Sequence, residues 1–304
     1  MEGLLRTTTA YKIFSTDGAG KGYSHAYMLH LNDPDNLRAA LNFFAAEFFK
    51  AERGSVLYHR ILNGSFPDYT LYPQEGKKYA VDDISGIIED SALRPVEGSE
   101  KLYALTEFEK ASALVQNKLL KTLEEPLEGV HFLIGVTSLA PILDTVKSRV
   151  KLLEVPPFSA DEIYAALQRR GDNPLNRAAA EACNGILGVA ENMVSGGWFQ
   201  EVRDAALEIC TTLNIEDIAA VAQKYGDIKY RRELLSEMSN LCFSALKGEG
   251  DLGGLLSKHT LIYAIESINR AQQDVRFNAF FQGLLYDFML RVAKENDKWQ
   301  KLQQ

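Results

Sequence analysis

Residues 100–138 read "EKLYALTEFEKASALVQNKLLKTLEEPLEGVHFLIGVTS", and the change of period inside this stretch decides the fold. Its two ends, "EKLYALTEF" (100–108) and "VHFLIGVTS" (130–138), are short continuous apolar runs, the pattern of strands buried on both faces. Between them, "KASALVQNKLLKTLEEP" (110–126) sets Leu119, Leu120 and Leu123 in an apolar helical stripe that Pro126 brings to an end. The same alternation of apolar runs and helical periodicity continues toward the N-terminus through "KKYAVDDISGIIEDSAL" (77–93), "DNLRAALNFFAAEFFKA" (35–51) and "SHAYMLHL" (24–31). Strands separated by helices imply a parallel sheet covered on both faces, an α/β module.

Beyond "LLEVPPFS" (152–159) the character changes, because the double proline at 156–157 breaks the chain and everything downstream has a helical period. Ser159 followed by Asp161 and Glu162 is a helix start, and Gly171 ends that helix. A second helical unit with Gly185 and Gly188 between its pieces runs to "SGGW" (195–198), which reads as a hinge. Three segments are therefore expected: an α/β module over 1–157, a small helical domain over 158–198, and an all-α domain over 199–304.

The 304 residues carry a net charge of −8, so the whole chain has no electrostatic pull toward nucleic acid or an anionic membrane. Cys183, Cys210 and Cys242 are scattered, which fits reduced thiols and neither a disulfide framework nor a zinc cluster. No window approaches the roughly 18 apolar residues of a membrane span, and the N-terminus has no signal-peptide core, so the expected compartment is the cytoplasm.

A glance at "TDGAGKG" (16–22) suggests a phosphate loop, but a working loop reads G-x-x-x-x-G-K-[ST] and follows a strand. This one precedes the strand, has Ser15 or its neighbour where a glycine is required, and carries Gly22 where the metal-binding hydroxyl belongs, so it reads as a flexible turn. The proper place lies just after "SHAYMLHL". There Leu31 and Asn36 replace the two glycines, Leu37 the lysine and Arg38 the Ser/Thr, while Asp33 and Asp35 would repel phosphate. Asp33 or Asp35 is expected to serve instead as a helix N-cap. The strand "LYALTE" ends in Thr106-Glu107, so the position of a metal-holding Asp is Thr106, and no nucleotide or metal cofactor is expected.

The ordered motifs "SHAYMLH" (24–30), "FPD" (66–68), "VDDI" (81–84), "PVEGSEKLYAL" (95–105), the "QNKLLKTLEEP" helix and "KSRV" (147–150) closely resemble bacterial clamp-loader subunits of the DNA polymerase III holoenzyme. The resemblance covers the first half of the chain. It implies a P-loop NTPase-like AAA+ module followed by a small lid and a helical collar through which the subunits form a ring. Of the two subunit types that share this region, the ATP-hydrolysing gamma/tau motor and the non-hydrolysing delta-prime type, the altered loop and Thr106 resemble the latter. An active motor with an unconventional loop, or a diverged AAA+ scaffold in another assembly, stay open as alternatives.

The resemblance further implies that Arg149 acts as an arginine finger in trans on ATP bound to a neighbouring motor subunit, with Ser148 and Lys147 supporting it. Thr137 matches a sensor residue left without a nucleotide, and the sensing arginine of active relatives would fall near Val189 or Ala190. Lys118 and Lys121 lie on a polar helix side that faces DNA inside such assemblies. The partners implied are the gamma/tau motor subunit, the delta subunit, the sliding clamp indirectly, and primer-template DNA through the assembled complex. No catalysis is expected from the isolated chain. The zinc module of many relatives has no cysteines here, and His59 is a lone imidazole.

Overall fold

A computed structural model describes residues 1–20, 22–74, 76–250, 252, 254–275 and 280–302. Lys21 of "TDGAGKG" lies outside the described residues, as do residues 276–279. The described chain divides into two compact units, one of residues 1–172 with 183–189, the other of residues 173–182 with 190 onward.

Unit one holds five strands: β1 (Ala26–Leu31), β2 (Tyr69–Tyr72), β3 (Lys101–Leu105), β4 (Val130–Val136) and β5 (Lys151–Val155). They form one sheet in the order β2-β3-β4-β1-β5, and every pairing is parallel. Met28 of β1, for example, faces Ile134 of β4 on one side and Leu152 of β5 on the other. The central strands β3 and β4 are buried throughout, as their continuous apolar runs require. Edge strand β5 alternates, with Leu153 and Val155 buried and Lys151, Leu152 and Glu154 exposed. The α/β fold expected from the sequence is the observed one. Strand β2 was not foreseen, since its four residues are too few to establish a period.

One face of the sheet, with Met28, Tyr103, Phe132 and Ile134, packs against Ile84 and Ile87 of helix Val81–Ser91 and Leu119 and Leu123 of helix Ala113–Glu124. The other face receives helix Pro34–Phe48. Leu37 and Leu41 press so closely on Gly135 of β4 that an added Cβ would sit 2.8 Å from one Leu41 methyl carbon and 3.2 Å from one of Leu37. Helix Thr9–Ala19 covers the β5 side of the sheet. Phe14 meets Phe44 edge-on at 5.0 Å and Tyr27 at 4.9 Å, and Asp17 holds both Lys151 and the Tyr27 hydroxyl. Here the sequence reading is corrected: residues 16–19 are not a loose turn but the last turn of this helix. Asp17, tied to two partners on the sheet, keeps that turn wound up to Gly20.

The segment expected as a separate small domain, 158–198, is shared between the two units. Helix Ala160–Gln168 opens at the expected Ser159 cap, which Glu162 completes as a capping box, and stays with unit one. In the same unit the Phe158 N–H donates to the Gly185 carbonyl at 3.0 Å. Gly185 has φ +76°, and a side chain there would strike the Phe158 carbonyl at 2.6 Å, so this close approach depends on glycine.

Unit two is helical. Helices Trp198–Thr211, Ile215–Tyr225, Arg231–Leu246, Lys258–Val275 and Phe281–Leu302 share a core that includes Val202, Ile209, Leu234, Met238, Ile268 and Phe288. Arg203 meets the buried Glu237 at 2.6 Å inside it. All three cysteines of the chain are buried, and none forms a disulfide. No helix among the described residues is long and apolar enough to cross a membrane.

Gly135→Ala is expected to destabilise the chain by about 1–3 kcal/mol, because two leucines must leave their rotamers to admit one methyl group. A lower urea midpoint at unchanged slope is the predicted result. An unaltered midpoint would show that the helix can retreat at no cost.

Candidate functional site

A parallel sheet has two chemically different edges. Turns that follow strands lie at the carboxyl edge, where α/β proteins hold ligands, and segments that lead into strands lie at the other.

The carboxyl edge carries every position that would handle a nucleotide. After Leu31, Asp33 is the N-cap of helix Pro34–Phe48 and accepts the Asn36 N–H at 3.2 Å, with Pro34 in the first turn, as N-cap chemistry favours. Asn36 is itself buried and donates its side-chain amide to Asp33 at 3.0 Å. Leu37 is fully buried against the sheet, where a lysine would have to reach outward to phosphate. Arg38 turns aside and donates to the Pro73 carbonyl at 2.6 Å.

Thr106, at the end of β3, is enclosed. Its amide donates to the Tyr72 carbonyl and its own carbonyl accepts from the Tyr79 hydroxyl, both at 2.7 Å. Burial, together with Glu109 and Glu107, pushes the Tyr79 phenol far above its ordinary range, so that proton stays in place to be donated. Glu107 has a left-handed φ of +51° and pairs with Lys110. Thr137, at the end of β4, gives both its N–H and its hydroxyl to Glu109. Val189 and Ala190 offer no charge, and neighbouring Gly188 donates its N–H to Asp33 at 2.9 Å.

Arg149 lies at the opposite edge. It sits two residues before β5, in an open depression of about 620 Å³ lined also by Ser24 and His25 ahead of β1 and by Leu123 and Glu124 at the end of their helix. Its guanidinium pairs with Glu124 and donates to the Thr145 carbonyl at 2.8 Å and to Ser148 Oγ at 3.2 Å. Ser148 thus touches Arg149, whereas Lys147 pairs with Asp144. Arg149 keeps about a third of its side-chain surface exposed, 32%. Strand β1 has six residues; at ~3.3 Å per residue, about 20 Å of sheet separates this edge from the Asp33 turn.

Three contributors were not singled out in the sequence. Gln116, only 1% exposed, donates its amide to the Ala111 and Pro141 carbonyls and accepts the Leu143 N–H at 2.9 Å, which pins the loop leading to Arg149. Glu124 closes the same helix and holds Arg149. Glu109 holds Thr137. Of these only Gln116 left a sequence signal: an amide inside an apolar helix face must find partners once buried. Lys118, expected on a DNA-facing side, donates to Ser85, and Lys121 is exposed. His59 is exposed, and no set of three His, Cys, Asp or Glu among the described residues is arranged to hold a metal.

The "FPD" motif proves to be architectural. Asp68 accepts the backbone N–H groups of Val96, Glu97 and Gly98 at 2.6–2.9 Å and so folds the "PVEGSEK" loop onto the mouth of β3.

A parallel β2-β3-β4-β1-β5 sheet, a capped helix following β1 and trailing helices define an AAA+ module of the P-loop NTPase-like class. More particularly, the chain belongs to the family described as DNA polymerase III, delta subunit, whose pattern matches residues 7–159, about half of its length. It is 26% identical over 175 residues to DNA polymerase III subunit delta' of Bacillus subtilis, a match that covers 55% of this chain and 53% of that one. It is 32% identical over 139 residues to subunit delta' of Yersinia pestis, covering 43% and 41%. It is also 31% identical over 105 residues to subunit gamma from Buchnera aphidicola, covering 34% and 28%. The chain thus spans about half or less of the length of the curated relatives it matches. Among solved structures, a DNA polymerase III gamma subunit-related protein from Thermotoga maritima aligns over 95% of this chain and 99% of its own, at 15% identity and a TM-score of 0.43.

The Asp68 carboxyl makes a pH prediction. Burial pushes it up, but the three N–H donors and the Lys101 ammonium outweigh that and hold it below the ordinary Asp range. Its stabilising effect is therefore full above the unfolded value, about 3.9, and fades as pH drops through the lower folded value. Asp68→Asn should cost about 1–3 kcal/mol at pH 7, a gap to wild type that narrows below pH ~4 in denaturant melts. A gap that widens at low pH would contradict this assignment.

Proposed function

We propose that this chain is a delta-prime-like subunit of a DNA polymerase III clamp loader: it hydrolyses no ATP itself and supplies Arg149 in trans to ATP held by a neighbouring gamma/tau motor subunit. The observation that supports it best is the separation of the two sites. Arg149 stands at the edge of the sheet opposite the Asp33 turn, so a phosphate that it meets belongs to another chain. Its guanidinium is partly exposed in an open depression, and its one carboxylate partner, Glu124, is itself 47% exposed and can be exchanged for phosphate at small cost.

A planar, permanently charged fork is the side chain suited to phosphate oxygens that gain charge in the transition state. The carboxyl edge supports the other half of the reading. Without a lysine at 37, a hydroxyl at 38 or an aspartate at 106, the chain lacks the groups that hold phosphate and Mg²⁺ in a working site. On this reading residues 158–198 serve as the lid and residues 199–304 as the collar, the delta subunit and the motor are direct partners, the sliding clamp is reached indirectly, and primer-template DNA is met through the assembled complex.

The test is reconstitution with cognate motor and delta subunits, followed by clamp- and DNA-stimulated ATPase. Arg149→Ala is expected to lower kcat on the order of tenfold or more with assembly intact, and Arg149→Lys to restore little, since a point charge does not reproduce the fork. Unchanged turnover in an intact complex would remove the finger and leave a scaffold. Saturable ATP binding by the isolated chain would instead favour the motor reading, and failure to associate with the motor would favour a different assembly.

A further inference from the structure

We propose that Asp33 is a built-in anion: its carboxylate takes the place at the strand–helix turn that a nucleotide phosphate takes in a working loop, and so fastens residues 183–189 to that turn with no ligand present. The inference does not depend on Arg149, and its failure would leave the trans-finger reading untouched.

The geometry is that of a bound anion. Asp33 is 2% exposed. One carboxylate oxygen accepts the Asn36 N–H at 3.2 Å, and the other accepts the Asn36 side-chain amide at 3.0 Å and the Gly188 N–H at 2.9 Å. Asn36 and Gly188 lie in the first turns of helices Pro34–Phe48 and Leu187–Ser195. The N–H groups of a first turn have no partner within their own helix and carry the positive end of its dipole. These are the donors that bind phosphate when a helix follows a strand in a nucleotide site. Here one carboxylate closes the first turns of two helices that are 152 positions apart in the chain, residues 36 and 188.

Two further features fit a permanent occupant. Gly188 allows the approach: a Cβ there would lie 2.5 Å from an Asp33 oxygen and 2.8 Å from the Asp35 Cβ, so only glycine admits this contact. A phosphate entering the turn would meet the buried carboxylate of Asp33 and the exposed one of Asp35, a like-charge encounter. In an ordinary nucleotide site, by contrast, the anion leaves with each product. Here it is part of the chain, and the turn and residues 183–189 keep a single arrangement.

Hydrogen exchange on the full chain tests this. Asp33→Ser keeps an N-cap acceptor for Asn36 but is too short to reach Gly188, while Asp33→Asn keeps the shape without the charge. In both, exchange across residues 183–189 is expected to rise on the order of tenfold or more, with residues 26–31 of β1 unchanged. In Asp33→Ala, which leaves a carboxylate-sized space, sodium formate is expected to restore protection of 183–189 where sodium chloride at equal ionic strength does not, and wild type should respond to neither. Unchanged exchange at 183–189 in Asp33→Ser, or wild-type behaviour of Asp33→Asn, overturns the proposal. So does a loss of protection spread equally over β1. If Asp33→Ala does not fold, the Ser and Asn variants decide the matter alone.

Discussion

All five strands run the same way, and that single alignment separates the chemistry of this module into two edges. Parallel neighbours cannot be joined by tight hairpins, so each strand is followed by a crossover that returns the chain to the start of the next. Everything that follows a strand gathers at one end of the sheet: the Asp33 turn, Thr106 and Thr137. Everything that leads into a strand gathers at the other: Ser24 and His25, the Glu124 helix end, and Arg149. The proposed division between an idle nucleotide position and an outward-facing arginine is a consequence of that topology.

At the carboxyl edge the side chains of the strand-following turns are engaged within the chain itself. Leu37 has become core and rests on Gly135; Arg38 serves the Pro73 carbonyl. Thr137 is turned onto Glu109, and the Tyr79 hydroxyl closes Thr106. The Thr137 hydroxyl, the Thr106 backbone and the Arg38 guanidinium all have internal partners, as buried polar groups favour. Carboxylates aimed at backbone N–H groups recur in the module. Asp68 gathers three from the "VEG" turn, and Asp33 gathers two from separate helices. In both places a side-chain anion organises loops that hydrophobic contact alone would leave loosely defined, because backbone N–H donors fix direction as well as distance.

Helix Ala113–Glu124 links the two edges mechanically. Near its start Gln116 holds the loop through Pro141 and Leu143; at its end Glu124 meets Arg149; between them Leu119 and Leu123 seat it on the sheet. The orientation of Arg149 thus depends on a rigid element buried along one side, and on a hydrogen-bonded amide with no remaining freedom.

The sequence by itself determined the α/β alternation, the helical character beyond Pro157, the Ser159 cap and the altered residues at 31–38. These are local properties: a period of two or 3.6, a capping side chain and a missing lysine are written in consecutive letters. Short β2 left no such period. The last turn of helix Thr9–Ala19 was read as loose because its glycines are visible in sequence, while Asp17's hold on Lys151, 134 positions away, is not. The division of residues 158–198 between two units likewise depends on contacts such as Phe158 with Gly185. Only the tertiary structure decided that Asp33 reaches Gly188, that Gln116 and Glu124 bracket the path to Arg149, and that Arg149 faces away from its own loop. Those facts depend on which segments the parallel sheet brings side by side, and pairings between distant residues have no local signature in the chain.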